Sequence, residues 1–403
     1  MRIFGSFNIL IHKIEYMQKW PVIACDQFTS QPEYWNALRK IIGYDPSTLH
    51  CIMPEAELRT ATDEQYQKIR DSMNRYLEDE IFNIYPDSFV YVERTLLDGT
   101  VRQGVVGVID LEEYDYRPHA ASSIRATEKT VVERIPPRMK VRKGAMLDLS
   151  HVLLLCDDER KEIIEPLRNA EGNIIYEIDL LQNGGHIKGK LISGEEAGKL
   201  RKRLDEYCAR KANDLNGMLF LVGDGNHSLA TAKACYEELK RTSNNTEAIE
   251  RARYAVVELE NIHDDAQRFE PIHRIVYDVD YESVLDFLLK SCGGDDGYPV
   301  EWIAGDKAGV IILDKAKGIL PIGILQQALD DYLQKHDGAI DYIHGEETVK
   351  KLAKGEKRIG FILPSVSKDD FFRGIAEDGV LPRKTFSMGE AQEKRYYLET
   401  RRL

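Results

Sequence analysis

The 403-residue sequence contains few cysteines, no long apolar run and no excess of basic residues. Its six cysteines are scattered and form no CxxC pair or clustered Cys/His set, which excludes a zinc knuckle and a disulfide scaffold. No apolar run approaches the roughly 20 residues needed to cross a bilayer. Polar residues interrupt the first twenty positions too early for a signal peptide. We therefore expect a cytoplasmic protein with reduced thiols and no membrane partner.

The charge balance argues against a nucleic-acid binder. The formal net charge is −13, from 55 basic and 68 acidic residues, whereas a protein that binds nucleic acid through its net field is basic. No helix-turn-helix with a basic recognition face is recognisable, and no GxxxxGK[ST] loop is present, which excludes a P-loop kinase. We expect a small-molecule partner, and the sequence leaves the oligomeric state open.

What the sequence does contain is an alternation of short apolar runs and amphipathic segments without any fixed-period repeat, which predicts a compact α/β or α+β protein. Apolar residues at three-to-four spacing predict a helix over residues 62–81. Asp98-Gly99 between two β-rich runs predicts a hairpin. The predicted organisation is an N-terminal α/β region (1–115), a central core (116–275) and a C-terminal α/β region (276–403).

The most informative segment is residues 218–239, MLFLVGDGNHSLATAKACYEEL. Its first five residues predict a strand buried on both faces, and the next four are turn material. Ser228 is the predicted N-cap of the helix that follows. This pattern places Asp224, Asn226 and His227 at the carboxyl end of a strand, where open α/β sheets bind ligands.

Two interpretations of this turn stay open. The free N–H groups and the roughly half positive charge of a helix start favour a phosphate or carboxylate, and His227 could supply a proton or hydrogen bond near neutral pH. Alternatively, Asp224-Gly225 is an ordinary turn and Ser228 an ordinary cap. The tetrapeptide alone does not separate these alternatives.

The turn and helix resemble the Asp-Gly-His-His-Arg segment of the ParB and sulfiredoxin-like superfamily, which includes partition nucleotidases, sulfiredoxins and free-serine kinases. This resemblance implies mixed sheets with flanking helices around a ParB/sulfiredoxin-like core. Asn226 stands where histidine is usual and Ser228 where arginine is usual, so the bidentate phosphate clamp of that arginine is missing.

Over nearly its whole length, the chain more closely resembles a bacterial family known as domain of unknown function 1015. The segments that carry this resemblance are WPVIACDQFTSQPEYW (20–35), IRATEKTVVERIPPR (124–138), the turn itself, NIHDDAQRFEPIHRIV (261–276) and RKTFSMGEAQEKRYYLE (383–399).

A second group of reactive side chains lies at Arg125, Thr127 and Glu128. A carboxylate beside hydroxyls and an arginine suits a general base or metal ligand next to a phosphate-binding cation. The alternative is a surface ion pair between Glu128 and Arg125, which contributes about 0 to 1 kcal/mol. The resemblance to serine kinases implies that Glu128, upstream of the turn, acts as the base.

Further candidates are weaker. His263, Asp264 and Asp265 follow a predicted strand, and the two aspartates could ligate Mg²⁺ through oxygen. His273 in an apolar strand is as readily a satisfied core histidine. Arg383 and Lys384 stand with two hydroxyls and a glycine, a composition that suits an anion-binding loop.

Cys25 is not expected to be a nucleophile, because it would need a histidine partner and a depressed pKa. It lies in a segment with Asp26 that could face the site.

These features favour a nucleotide-dependent, Mg²⁺-assisted phosphotransferase that acts on a small hydroxylated metabolite, with free serine implied by the resemblance. ADP or ATP would be the nucleotide. The alternatives are a phosphatase that acts on a metabolite such as phosphoserine, and a non-catalytic nucleotide or metabolite sensor. The predicted catalytic residues are Glu128, Asp224 and His227, with Asp224 also the metal ligand; the predicted substrate or phosphate ligands are Arg125, Thr127, Gly225, Asn226, Ser228, Arg383 and Lys384.

Overall fold

A computed structural model describes residues 3–382 and 384–403. The strands are β1 (Phe4–Gly5), β2 (Phe7–His12), β3 (Phe82–Thr95), β4 (Val101–Asp110), β5 (Tyr114–Asp115), β6 (Ile124–Ala126), β7 (Leu147–Leu149), β8 (Leu153–Cys156), β9 (Ile174–Asp179), β10 (His186–Ile192), β11 (Phe220–Asp224), β12 (Tyr254–Asn261), β13 (Phe269–Tyr277), β14 (Gly297–Ala304), β15 (Lys307–Asp314), β16 (Ala339–His344), β17 (Arg358–Ile362), β18 (Phe386–Met388) and β19 (Glu399–Arg402). The α-helices are α1 (Pro32–Ile42), α2 (Asp63–Glu78), α3 (Ile135–Arg142), α4 (Gly194–Lys211), α5 (Asn226–Thr242), α6 (Thr246–Ala252), α7 (Tyr281–Cys292), α8 (Pro321–Leu333), α9 (Glu346–Leu352) and α10 (Lys368–Asp378).

The chain forms two compact units, and the second interrupts the first in sequence. The first unit consists of Met1–Ala126, Thr130–Gln267 and Gly389–Leu403, and the second of Thr127–Lys129 and Arg268–Met388. The mixed α/β class predicted from the sequence is confirmed. The predicted boundary between residues 115 and 116 falls inside the first unit, and that between residues 275 and 276 inside the second.

The first unit is built on a 13-stranded mixed sheet whose main path runs β5-β6-β11-β8-β12-β4-β3-β2-β19-β7. Strand β8 runs parallel to β12 and antiparallel to β11. The carboxyl end of β11 therefore lies at the edge of the sheet where β8 and β12 begin, and their own carboxyl ends lie at the opposite edge. Strand β19 pairs with β2 and β7 of this same sheet.

Successive side chains of a strand point to opposite faces of a sheet. Both faces of this sheet are buried, each in its own apolar cluster. On β4, Val105 and Ile109 belong to one apolar cluster, which also contains residues of α4 and α5. Val106 and Val108 belong to the other, which contains residues of α2. The continuous apolar run of β11 predicted a strand buried on both faces for this reason.

Charged side chains are also buried in this sheet. Arg94 on β3 lies 3.1 Å from Glu258 on β12, and Arg102 on β4 lies 2.8 Å from Glu260 on β12. On β19, Glu399 accepts a hydrogen bond of 2.6 Å from the Tyr176 hydroxyl. We call these five charged residues the sheet network: Arg94, Arg102, Glu258, Glu260 and Glu399, none more than 8 % exposed.

The second unit contains a six-stranded antiparallel sheet in the order β15-β14-β17-β13-β16, with β18 beside β13. Apolar residues at helical spacing on α7 and α8 are buried, including Val284, Leu288, Leu325 and Leu329. After Tyr277, the second unit contains helices α7 to α10 and strands β14 to β18.

Local predictions in the first unit are mostly confirmed. The helix expected over residues 62–81 is α2, capped by Thr62, whose hydroxyl accepts a hydrogen bond from the N–H of Gln65. The Asp98-Gly99 hairpin joins β3 to β4. Within residues 3–382 and 384–403, no helix is both long and apolar enough to cross a bilayer.

Candidate functional site

The candidate site in the first unit lies where β11 turns into α5. Strand β11 ends at Asp224, and Gly225 adopts a left-handed conformation with φ of 80°. A side chain at Gly225 would be strained in this conformation and would meet Val152 at 3.0 Å. The helix starts at Asn226, so the prediction of Ser228 as N-cap is wrong. The glycine turns the chain so tightly that α5 begins three residues earlier than predicted.

Asp224 forms an ion pair at this turn. Its Oδ1 accepts a hydrogen bond of 2.8 Å from the Gly225 N–H, and its Oδ2 lies 3.2 Å from Nζ of Lys394. Asp224 and Lys394 keep 25 % and 18 % of their side-chain exposure. The pair is therefore open to a small anionic or cationic ligand.

Three backbone segments bring the remaining groups to this turn. The Lys394 carbonyl accepts a hydrogen bond of 2.8 Å from the Ala24 N–H, and the Tyr397 N–H donates one of 2.8 Å to the Ser150 carbonyl. Residues 394–397 thus tie the segment that ends at Asp26 to the one that carries His151. These contacts place groups from three distant parts of the sequence at one location.

His227 is held as a neutral imidazole. Its Nε2 accepts a hydrogen bond of 3.2 Å from the Val131 N–H. Burial and then the positive charges of Arg138 and Arg134 lower its pKa to about 4. The neutral side chain accepts a hydrogen bond here, and the catalytic role of His227 stays a prediction.

Ser228 forms a side-chain pair that the sequence did not predict. Its Oγ lies 2.9 Å from Nε2 of His151, a buried side chain whose ring packs edge-on against Tyr396 at 5.1 Å. Burial would raise the pKa of Asp26, but His151, Gln27 and Lys394 lower it overall. Asp26 is thus an anion that interacts with both His151 and Lys394.

A cavity of about 100 Å³ adjoins this group. Its wall is mostly apolar, from Met53, Met73 and Leu149 among others, and carries the polar groups of Ser228 and Arg138. Cys25 also lines it, and burial raises the pKa of its thiol to about 12. This shift is opposite to the one that a cysteine nucleophile requires.

Arg125 lies in β6 with its guanidinium directed to the backbone. Its Nε donates a hydrogen bond of 3.0 Å to the Ser122 carbonyl, and its Nη2 donates one of 2.7 Å to the Asn216 carbonyl. Only 6 % of the residue is exposed. These bonds give Arg125 a structural role, and its binding to phosphate stays a prediction.

The other predicted site residues belong to the second unit. Oε1 of Glu128 accepts a hydrogen bond of 3.3 Å from the Thr385 N–H. The carbonyl of buried Thr127 accepts one of 2.8 Å from the Leu381 N–H. Exposed Lys384 places its ammonium 5.5 Å from the ring centre of Tyr342. Arg383 lies outside the described residues.

A buried arginine that the sequence did not single out accompanies Glu128. Arg274 interacts electrostatically with Glu128, donates a hydrogen bond of 2.6 Å to the Gln326 side chain and stacks 4.6 Å from the ring centre of Tyr342. Burial lowers its pKa to about 10. The neighbouring His273 is a satisfied core histidine, because its Nδ1 accepts the Leu363 N–H at 3.1 Å.

Asp264 and Asp265 stay only predicted as Mg²⁺ ligands. Asp264 accepts backbone hydrogen bonds from Gln103 and Ala266. Among the described residues, one group of three metal-ligating side chains comes together, namely Asp157, Glu159 and His263. It lies where β8 and β12 end, at the opposite edge of the sheet from Asp224, and Lys211 already pairs with Asp157 at 2.7 Å.

Sequence reasoning missed His151 and Lys394, and it named Asp26 only as part of a segment that could face the site. Lys394 stands 170 positions after Asp224, and His151 stands in a short apolar run that resembles core. The only available signal was that Asp26 and Lys394 lie in segments that carry the family resemblance.

The family model described as "Protein of unknown function (DUF1015)" matches residues 11–353, so the chain belongs to this family. None of the curated proteins compared with the chain matches it. Solved structures similar to the chain include a mutant of free serine kinase in complex with ADP, at 12 % identity and a TM-score of 0.39, covering 72 % of this chain and 90 % of that one.

Two other solved structures show similarity of the same order. A conserved hypothetical protein from Pyrococcus furiosus has 13 % identity and a TM-score of 0.35, with coverage of 73 % of this chain and 94 % of that one. SbnI from Staphylococcus aureus, with a C-terminal truncation, has 10 % identity and a TM-score of 0.37, with coverage of 70 % and 83 %. A TM-score below 0.5 does not establish a shared fold, and the α/β class follows from the chain's own sheets.

Proposed function

We propose that this member of the DUF1015 family is a nucleotide-dependent phosphotransferase that acts on a small hydroxylated metabolite, with free serine as the first substrate to test. The observation that carries the proposal is the ion pair of Asp224 with Lys394 at the start of α5. Phosphoryl transfer depends on positioning and charge neutralisation more than on covalent chemistry. An ammonium beside a helix N-terminus supplies both for a phosphoryl group.

The carboxylates of the turn suit a divalent cation. Asp224 and Asp26 offer hard oxygen ligands of the kind that Mg²⁺ prefers. Each Asp224 oxygen has one hydrogen-bond or ion-pair partner, and a carboxylate oxygen has capacity for about two. Mg²⁺ bound there would neutralise phosphate charge, and Lys394 would share that task.

Glu128, a residue of the second unit, stays the predicted base for the substrate hydroxyl. Its Oε1 accepts a hydrogen bond of 3.3 Å from the Thr385 N–H, and Arg274 interacts with it electrostatically. Glu128→Gln should remove turnover and leave most of the nucleotide affinity. A sensor protein, in contrast, should retain its whole ligand response in this variant.

The first experiment is a thermal-shift panel of ADP, AMP, ATP, serine, phosphoserine and inorganic phosphate, each with and without Mg²⁺. Free serine kinases are solved with ADP and AMP, so these nucleotides belong in the panel. A ligand at a hundred times its Kd adds about 2.7 kcal/mol of stability. We expect a nucleotide to stabilise the wild type but not Lys394→Met, with the exposed Lys202→Met as control.

Two results would redirect the proposal. Stabilisation by phosphoserine or phosphate alone would favour a phosphatase that uses the same anion site with water as acceptor. No stabilisation by any member of the panel would contradict ligand binding at the turn, and Asp224 would then be an ordinary turn residue.

A further inference from the structure

The pair of Ser228 with His151 has the geometry of a nucleophile and its base. Oγ and Nε2 lie 2.9 Å apart, within the range in which an imidazole removes a hydroxyl proton as the oxygen attacks. His151 is only 7 % exposed, and the Tyr396 ring packs edge-on against it. The imidazole is therefore held in place, whereas Ser228 is half-buried and lines the cavity.

The surroundings of the pair stabilise the negative charge that develops at Ser228 and the positive charge that forms on His151 during attack. Ser228 lies in the first turn of α5, where the helix stabilises a developing negative charge. The Asp26 carboxylate interacts electrostatically with His151, which stabilises the imidazolium that forms when the proton arrives. Asp26 forms no direct hydrogen bond with His151 in the described structure, so it acts through its charge.

A neighbouring hydroxyl shows that this arrangement is not general to the helix. Thr231 lines the same cavity, but its Oγ1 donates a hydrogen bond of 2.7 Å to the His227 carbonyl within α5. Its proton is thereby committed to the helix backbone. Thr231 is the matched control for Ser228.

We propose that Ser228 is the covalent phosphoryl acceptor of this enzyme and that His151 is its base. This inference rests on the proposed function and adds a reaction path to it. A direct transfer from nucleotide to substrate would not need the pair.

The proposed reaction has two steps. In the first, Ser228 Oγ bonds to the terminal phosphorus of the nucleotide, the bond from that phosphorus to the bridging oxygen breaks, and the shortened nucleotide leaves with the electron pair. The Ser228 proton passes to His151 Nε2. In the second, the substrate hydroxyl oxygen attacks phosphorus, the Oγ–P bond breaks, and His151 returns its proton to Oγ. The proton of the substrate hydroxyl passes to the general base that activates it.

The test is to trap the phosphorylated protein. Full-length wild type is mixed with Mg²⁺ and ATP, ADP or acetyl phosphate, quenched within one turnover, and examined by intact mass and peptide fragmentation. We expect a mass gain of one phosphoryl group located on Ser228. Ser228→Ala should abolish it, Thr231→Val should retain it, and His151→Gln should slow its formation by about 10²- to 10⁴-fold.

The outcomes separate the two proposals. Substrate phosphorylation by Ser228→Ala at the wild-type rate would overturn the covalent path and leave the phosphotransferase intact. Failure of every nucleotide to bind or react would overturn the phosphotransferase. In that case phosphorylation of Ser228 by acetyl phosphate would still support the nucleophile, and the absence of label from all three donors would overturn it. The wild-type measurement needs no variant to fold.

Discussion

The start of α5 and the sheet network both place carboxylates beside cations in the same sheet, yet their surroundings differ. Arg94 and Glu258 of the network keep 3 % and 1 % of their side-chain exposure, whereas Lys394 and Asp224 at the turn keep 18 % and 25 %. A ligand can therefore reach and replace a charged partner only in the pair of Lys394 and Asp224. The comparison shows that accessibility, and not charge alone, distinguishes a structural ion pair from a candidate binding site.

The pKa values of the buried carboxylates also differ between the two regions. In the sheet network, burial raises the pKa of Glu260 despite the opposing charge of Arg102, and it raises that of Glu399 to about 7. At the turn, burial alone would raise the pKa of Asp26, but His151, Gln27 and Lys394 together lower it. The turn therefore keeps its carboxylate ionised at neutral pH, as cation binding requires.

The largest expected effect comes from breaking the sheet network. Arg94→Ala leaves Glu258 buried without its cation, which should reduce the free energy of unfolding by about 3 to 5 kcal/mol. Urea unfolding measures the loss. The double variant Arg94→Met/Glu258→Leu removes both charges and should lose much less. A loss below about 1 kcal/mol in the single variant, the value for surface pairs, would remove the contrast with the turn.

Breaking the ion pair of Asp224 with Lys394 should lower activity and leave the free energy of unfolding nearly unchanged. Lys394→Met should lower the phosphotransferase kcat by about 10²- to 10³-fold, as removal of a charge-stabilising donor does. Its free energy of unfolding should change by at most about 1 kcal/mol, because the pair is partly exposed. Steady-state kinetics and urea unfolding on the same preparation test both parts. Unchanged kcat would contradict a role for Lys394 in the site.

A substitution at Gly225 in the turn should have a smaller effect, on the stability of the fold. Gly225→Ala puts a side chain into the left-handed region and 3.0 Å from Val152, which should cost about 1 to 2 kcal/mol. Gly99→Ala has the same type of backbone conformation but open space around it, so it should lose less. Thermal unfolding compares the two. Equal losses would show that the contact with Val152 contributes nothing.

The smallest effect is a dependence on pH from Glu399. Because its pKa rises from 4.5 unfolded to about 7 folded, the folded state binds the proton more tightly. The resulting stability is complete below the unfolded pKa and is lost as the pH rises through about 7. Glu399→Gln should flatten the decline in thermal midpoint across this window, whereas the exposed Glu177→Gln should not. A decline unchanged in Glu399→Gln would refute the assignment.

The sequence predicted those features that depend on local pattern. The α2 helix, the Asp98-Gly99 hairpin and the strand before Asp224 all follow from spacing, turn chemistry and continuous apolar runs. The start of α5 was misplaced because the conformation of Gly225 is not visible in a list of residues. These are limits of local information.

The site residues that the sequence did not predict are brought together by backbone hydrogen bonds between segments far apart in the sequence. Residues 394–397 meet residues 22–24 and 150 through backbone hydrogen bonds, and nothing in the local sequence of Lys394 or His151 specifies those partners. The burial of the sheet network could not be predicted from the sequence either, because Glu258 and Glu260 resemble the polar positions of an ordinary strand. Long-range pairing therefore decided the membership of the site.

The interruption of the first unit by residues 268–388 has a consequence for synthesis. Translation proceeds from the amino to the carboxyl end, so the ribosome must produce the whole second unit before Lys394 and β19 exist. Until then β2 and β7 have no strand between them, and Asp224 has no ammonium beside it. A nascent chain arrested before residue 394 should therefore carry an unfinished sheet and an incomplete candidate site, which couples assembly of the site to late elongation.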